Sequence, residues 1–320
     1  MFLSGAVKLL SGDPTWRGLT ALNFHYETQP LPTWTSWYMH QLPELFQKGS
    51  VAMTMAIELA IPFLIFAPRR LRLFAAACLG GLNLLVFLTG NFTFFNLLAI
   101  ALCLFLLDDS IIRRWLPGRI IQLLRQRQVQ ERRVFLRNGA LTILATFLVF
   151  VGVSQMVGTF SGSLPVTSKT LVRWVAPFHV ANSYGLFANM TTSRPEIRLQ
   201  GSYDGQTWRD YEFKYKPGRL SQRPRWVAPH QPRLDWQMWF AALSNYRQNP
   251  WFINFAERLL LGSEPVLTLL DNNPFPEEPP RFVRAQLYRY RFTDLTTKRT
   301  HGSWWEREYL GPYLPPASLN

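Results

Sequence analysis

The sequence predicts a membrane α-helical bundle of about four transmembrane helices, followed by an exported β-sandwich-like domain that carries a helical insertion. Three observations predict it. Apolar residues crowd ahead of residue 160 in runs of the length a bilayer demands, charges crowd behind it, and from Glu196 the hydrophobic period becomes the two-residue repeat of strands. The expected divisions are an exported-side segment over residues 1–50, a transmembrane region over 51–160 with a basic cytoplasmic loop at 108–138, and a strand-rich exported domain over 161–320.

The opening stretch, residues 1–10, is apolar but short. No basic residue precedes its apolar run and no clear small-residue cleavage site follows, so it reads as the tail of a crossing and not as a removable signal peptide. Residues 23–32 read Asn-Phe-His-Tyr-Glu-Thr-Gln-Pro-Leu-Pro, a polar and aromatic stretch that is neither span nor ordinary linker. His25 and Glu27 within it could act as acid and base, although two such residues this close are more often hydrogen-bonders of a loop.

A helix needs about 20 apolar residues to cross the hydrocarbon core, and four segments approach that length: 51–66, 71–88, 92–107 and 140–157. Arg69, Arg70 and Arg72 separate the first two, Thr89-Gly90-Asn91 turns between the second and third, and residues 113–137, rich in arginine, precede the fourth. Arginine-rich short loops stay cytoplasmic, which puts both basic gaps inside and everything after about residue 160 in a periplasm or organelle lumen. Residues 111–136 carry Ile112, Trp115, Leu116, Ile120, Leu123 and Leu124 among arginines, the pattern of a basic amphipathic helix on an anionic leaflet. Glu58 lies mid-span, four residues before Pro62, where an ionisable group costs on the order of 3 kcal/mol or more unless neutralised or paired. Function and a hydrogen bond across the bundle are equally good readings of it. Ala76 with Gly80, and Ala77 with Gly81, allow close helix packing.

The formal charge is +14 over 320 residues. Excess arginine of that kind can neutralise phosphates, but it flanks hydrophobic spans here and no zinc-finger, helix-turn-helix or RRM signature accompanies it, so nucleic acid is not an expected partner. The 2 cysteines, Cys78 and Cys103, sit in apolar stretches, which leaves the exported half without disulfides.

In that half Ile197, Leu199 and Gly201 alternate with polar residues, Asp204-Gly205 supplies a turn, and Trp208, Tyr211 and Phe213 continue beyond it, the signature of a hairpin. Residues 281–293 form a second long strand with Phe282, Ala285, Leu287, Tyr288, Tyr290 and Phe292. Between them, 235–243 and 251–261 have helical spacing and divide at Asn249-Pro250. Trp236, Trp239 and Phe240 are expected to pack inward. Trp304 and Trp305 are expected to be exposed, because adjacent residues point to opposite sides of a strand. Asn91 and Asn189 match the glycosylation pattern, Asn91 too near the bilayer to use it. No nucleophile elbow, phosphate-cradling loop, His-Glu-x-x-His or Cys-x-x-Cys occurs, and His179, His230 and His301 are too dispersed for a metal site, so neither metal nor cofactor is expected.

Several stretches together resemble the lipase maturation factor family: NFHYETQPLP at 23–32, GNFTFFN at 90–96 and LLDD at 106–109, NSYGLF at 182–187, RLDWQMWF at 233–240, NPFP at 273–276 and RAQLYRYRFT at 284–293. The resemblance runs in order along nearly the whole chain. It implies a multi-pass membrane protein, in animals of the endoplasmic reticulum, that helps secreted dimeric lipases reach their assembled form, with its C-terminal domain in the lumen. Family members usually carry more hydrophobic sequence ahead of the HYETQP stretch, so a shortened form or missing first crossings are expected. The compact, disulfide-free exported half fits a bacterial relative, which would place it in an inner membrane.

The reading that follows is a chaperone-like, non-enzymatic factor whose partners are the bilayer and secreted clients such as lipases, with Tyr184, Phe187, Trp304 and Trp305 as client-binding residues. Two rivals stand beside it. The membrane half faintly resembles the multi-pass carboxylase-like family that includes the vitamin K-dependent carboxylase, which would make His25, Glu27 or Glu58 catalytic. GSYDGQTW at 201–208 resembles hairpins of discoidin-like sandwiches, which would make the exported half a tethered sugar- or lipid-binding module.

Overall fold

The computed structural model describes residues 1–115, 117–119, 134–164, 166–179 and 187–319. The expected basic helix at 111–136 falls for the most part outside them, as does Tyr184. The chain forms two compact units: Met1–Arg17, Thr54–Gly80 and Ala101–Asn189 make one, and Gly18–Met53, Gly81–Ile100 and Met190–Asn320 make the other.

Of the four crossings the sequence predicts, three carry helices long and apolar enough to span a membrane, Glu44–Phe66, Arg69–Thr89 and Gly139–Ser161, while a shorter apolar helix, Phe95–Leu106, occupies the remaining one. Their outer faces are apolar and exposed, Ile143 and Phe105 for example, as lipid-facing residues are. The first span is α-helical to Leu59 and tightens into a 3-10 helix over Ile61–Phe66, where Pro62 has no N–H to donate.

In the first unit Glu58 has a partner. Lys8, on the helix Phe2–Leu10, donates to the Glu58 carboxylate, and both side chains are buried. A Cβ on Gly5 would come within 2.9 Å of the Glu58 Cβ, so the absent side chain is what lets the two backbones approach. At another place in that unit Arg69 and Arg72 both reach Asp108 of the LLDD stretch, Arg72 at 2.6 Å, and Arg72 also donates to the Leu106 carbonyl. The guanidinium of Arg69 holds the Asp108 carboxyl below the usual carboxylate range.

The second unit is built on one antiparallel sheet of four strands in the order β2-β1-β3-β4, with β1 at Arg194–Ser202, β2 at Arg209–Tyr211, β3 at Phe282–Phe292 and β4 at Trp305–Ala317. The predicted hairpin is β1 and β2, paired Leu199 to Tyr211, and β3 lies within the second predicted strand. Asp204 makes the turn by accepting from the N–H groups of Gln206 and Thr207.

Strand parity sorts the residues onto two faces. Ile197, Leu199 and Gly201 stand opposite Leu287, Ala285 and Val283, and this face packs on Met238 and Ala241 of the helix Arg233–Ala242 and on Phe252, Phe255 and Leu259 of the helix Pro250–Leu260. These are the two helices of the predicted insertion. Residues of the other parity, Tyr290 and Phe292, pack with Trp304 and Trp305 on Tyr26 of the helix Ala21–Thr28 and Trp37 of the helix Trp34–His40. The layers against the sheet are therefore helical, and a strand-rich layered domain is what the described residues contain.

Burial of the aromatic residues departs from two expectations. Trp304 and Trp305 are only 8% and 1% exposed. Trp304 sits edge-on to Trp37 with ring centres 5.2 Å apart, while Trp305 lies 4.4 Å from Phe292. Adjacent residues both pack inward because helices from early in the chain enclose the start of β4. Phe240, expected inside, is exposed, while Trp236 and Trp239 of the same helix are half-buried.

Candidate functional site

The strand β1 begins Arg-Pro-Glu-Ile-Arg, and its alternation places Arg194, Glu196 and Arg198 on the face opposite Ile197 and Leu199. Polar residues on alternate positions ordinarily mark a solvent face. Here that face is buried: Arg194, Glu196 and Arg198 are each at most 5% exposed. Buried charges need partners, and each has them.

Arg194 holds residues 23–32 against the sheet. Its guanidinium donates to the main-chain carbonyls of Glu27 at 2.7 Å, Gln29 and Pro30 at 3.0 Å, and pairs with the Glu196 carboxylate at 2.7 Å. Glu196 is shared with Lys216, 2.9 Å away, whose ammonium also donates to the carbonyls of Ile197 and Pro217. A planar guanidinium with five N–H groups suits this fan of acceptors in a way a lysine does not.

Other motif residues converge on the same segment. Trp239 donates its indole N–H to the Thr28 carbonyl at 2.9 Å. Asp235 accepts from the N–H groups of Tyr215 and Lys216, which fixes the turn that presents Lys216. Gln29 donates to the carbonyls of Tyr26 and Thr89. Asn91 uses its whole amide: Nδ2 donates to the carbonyls of Leu31 and Arg225, and Oδ1 accepts from the N–H groups of Val227 and Ala228. Gly90 stands beside it because a Cβ there would meet the Phe92 ring at 2.3 Å and Gln29 Oε1 at 2.6 Å. Asn91 is thus excluded as a glycan acceptor by burial and by four hydrogen bonds, a stronger reason than nearness to a bilayer; Asn189 is exposed.

The candidate acid–base residues fall in different units: Glu58 is the ion-pair partner of Lys8 in the first, and His25 and Glu27 belong to the second. Within the second, His25 stacks on Phe92 with ring centres 5.9 Å apart. The imidazole 3.9 Å from Glu27 is that of His40. Glu27 also accepts from the Phe292 N–H at 3.0 Å. Burial pushes the Glu27 carboxyl up, against the pull of that N–H and of the Arg194 charge, and burial pushes His40 down. Both are therefore displaced toward their neutral forms, as a buried tie between helix and strand requires. Among the described residues no three His, Cys, Asp or Glu side chains gather as metal ligands would.

Of the expected client-binding residues, Phe187 is half-buried, with its carbonyl accepting from the Trp16 indole N–H at 2.9 Å. Trp304 and Trp305 lie in the core already described. The residues that sequence reasoning missed are Arg194, Glu196 and Lys216; the signal for the first two was a charge-rich polar face on a strand whose neighbour β3 carries Tyr290 and Tyr288 at the matching positions, and Lys216, in the turn after β2, had none.

Six of the seven stretches that carry the family resemblance contribute to structure just described or to the loop at residues 273–280, and of the seventh, NSYGLF, only Phe187 is among the described residues. Residues 1–114 match the family model described as Lipase maturation factor transmembrane domain, and residues 180–315 the one described as Lipase maturation factor C-terminal domain. Lipase maturation factor 2 of Gallus gallus is 38% identical over 416 aligned positions that take in 100% of this chain and 58% of that protein. Lipase maturation factor 2 of Homo sapiens is 36% identical with the same coverage, and lipase maturation factor 1 of Bos taurus is 36% identical over 335 positions, 99% of this chain and 59% of that protein. The chain spans less than two thirds of the length of these curated relatives. No solved structure matches it. Two family models at either end of the chain and relatives aligned along its whole length agree: the chain belongs to the lipase maturation factor family.

Proposed function

We propose that this chain is a membrane-anchored maturation factor that helps secreted lipases fold and assemble. The observation that carries the reading is the similarity of its whole length to proteins named lipase maturation factors. Its geometry supports the same conclusion. The family stretches of the second unit are used to fix residues 23–32 to a sheet through main-chain carbonyls, a scaffold's use of charged and amide side chains, with the motif residues facing inward.

In this reading the two arginine-rich gaps face the cytoplasm and the sheet-bearing unit faces a lumen or periplasm, where secreted clients fold. The membrane is that of the endoplasmic reticulum in a eukaryote and the inner membrane in a bacterium. The helix Phe95–Leu106 serves as a fourth, short crossing, and the sheet is one layer of a sandwich-like domain. Client contacts come from exposed surface of the exported stretch after about residue 160, with Tyr184 and Phe187 as candidates, and Trp304 and Trp305 act as core of the sheet-bearing unit.

Deleting the gene in its native host and comparing secreted mass with enzymatic activity for each exported lipase tests the proposal. Selective loss of lipase activity, restored by the wild-type chain and not by one ending at residue 160, is the expected result. Normal mass and activity of every exported lipase would overturn it.

A further inference from the structure

Between β2, the helix Pro250–Leu260 and the loop at residues 273–280 lies a cleft of about 150 Å³. Leu267 and Pro279 give it apolar walls, Leu259 and Tyr211 form its buried floor, and Glu277 and Glu278 stand exposed at its mouth.

The loop is fixed from all sides. Asn273 donates Nδ2 to the Phe275 carbonyl and accepts from the Phe275 N–H, Arg209 donates to the Pro274 carbonyl at 3.2 Å, and Tyr203 donates its hydroxyl to the Glu278 carbonyl at 3.0 Å. The Phe275 ring is seated on Gly201, where a Cβ would approach it to 2.5 Å. A preformed wall of this kind lowers the ordering cost of binding.

Two independent features point to what the cleft takes. The Tyr211 side chain is 2% exposed, yet its hydroxyl has no partner among the described residues. Burial pushes its pKa up, so it remains a hydrogen donor, and a buried donor left unpaired is costly until an acceptor arrives. The second feature is charge: in a chain of net charge +14 this mouth carries two adjacent carboxylates.

We propose that this cleft binds a short extended segment of a basic, apolar peptide. A main-chain carbonyl accepts from the Tyr211 hydroxyl, an aliphatic side chain lies on Leu267 and Pro279, and a Lys or Arg side chain pairs with Glu277 or Glu278. The inference deepens the maturation reading and rests on it for the source of the peptide, an incompletely folded client.

The test uses the full chain in phosphatidylcholine nanodiscs, with empty nanodiscs subtracted, and fluorescence anisotropy of two labelled peptides, one alternating Leu with Lys and one alternating Leu with Glu. The chain's overall positive charge favours the acidic peptide, whereas the cleft favours the basic one. Wild type is expected to prefer the basic peptide about fivefold, the upper end of what one exposed ion pair gives. Glu277→Gln with Glu278→Gln should erase that preference. Tyr211→Phe should weaken both peptides about fivefold, the worth of one neutral hydrogen bond, and leave the preference intact. Equal or tighter binding of the acidic peptide, wild-type binding by the variants, or no binding at millimolar protein would each overturn the proposal. Because no lipase enters the assay, its failure is distinct from a failure of the deletion experiment.

Discussion

Replacing Arg194 tests whether residues 23–32 are held by one side chain. Arg194→Met keeps most of the stem and removes every donor. Three main-chain carbonyls, those of Glu27, Gln29 and Pro30, then lose a charged donor, and Glu196 keeps only Lys216 as a counter-charge. Removing one partner of a buried ion pair costs about 3–5 kcal/mol. Each orphaned carbonyl adds on the order of 1 kcal/mol unless water reaches it, and these contributions overlap. A loss of about 4 kcal/mol or more is therefore expected, a large part of the 5–15 kcal/mol typical of a folded domain. Urea unfolding of the detergent-solubilised chain, followed by tryptophan fluorescence, reads the total. Hydrogen exchange over residues 23–32 reads the local part. Arg194→Lys should recover only a fraction, because an ammonium cannot span three carbonyls and a carboxylate in one plane. Stability within 1 kcal/mol of wild type for Arg194→Met, with unchanged exchange in residues 23–32, would refute the argument.

Asn91→Ala removes an amide that makes four hydrogen bonds, and a loss of about 2–4 kcal/mol is expected from the same unfolding measurement; expression in a glycosylating host should leave Asn91 unmodified on peptide mapping. Trp305→Ala should behave as a core truncation, costing about 3–5 kcal/mol with a matching fall in abundance of the folded chain, and unchanged stability would contradict its burial. His40, whose pKa burial lowers, should make stability fall as acidification passes below the unfolded value of about 6.5, since the unfolded chain then binds the proton first. Glu27, raised by burial, acts in the opposite sense: its contribution is present below the unfolded value and is lost as pH rises through the folded one. His40→Gln should therefore lose less stability than wild type between pH 7.5 and 5.5, and an unchanged loss would show that another group titrates.

The sequence made the apolar side of this fold legible and the polar side illegible, for one physical reason. Periodicity reports which residues avoid water, and it located the β1–β2 hairpin, β3, both insertion helices and two of the spanning helices within a few residues, while the first span begins at Glu44 and not at the expected residue 51. It cannot report that a polar stripe is also covered. The stripe Arg194, Glu196 and Arg198 reads as a solvent face until the helices Ala21–Thr28 and Trp34–His40 are seen on it, and those helices are separated from β1 by more than 150 residues of chain. The same cover explains why Trp304 and Trp305, expected to be exposed because adjacent residues could not both face a core, are both buried in one cluster. It also explains β4, which the alternation rule misses: its burial pattern does not alternate, and Gly311, Pro312, Pro315 and Pro316 interrupt it.

The motifs that identified the family are thus largely the hydrogen-bonding groups of that hidden face. NFHYETQPLP supplies carbonyls, GNFTFFN supplies Asn91, RLDWQMWF supplies Asp235 and Trp239, and RAQLYRYRFT supplies Tyr290 and the Phe292 N–H. Such groups are intolerant of change because each loses a buried partner when substituted, which is a demand of folding and is independent of any client. It follows that substituting these residues tests the scaffold and cannot by itself locate the client surface. The NPFP loop differs in kind. Asn273 and Phe275 fix its shape, but Glu277 and Glu278 beyond them face solvent and support nothing in the core, so their replacement separates binding from stability in a way that no substitution at Arg194 or Asn91 can.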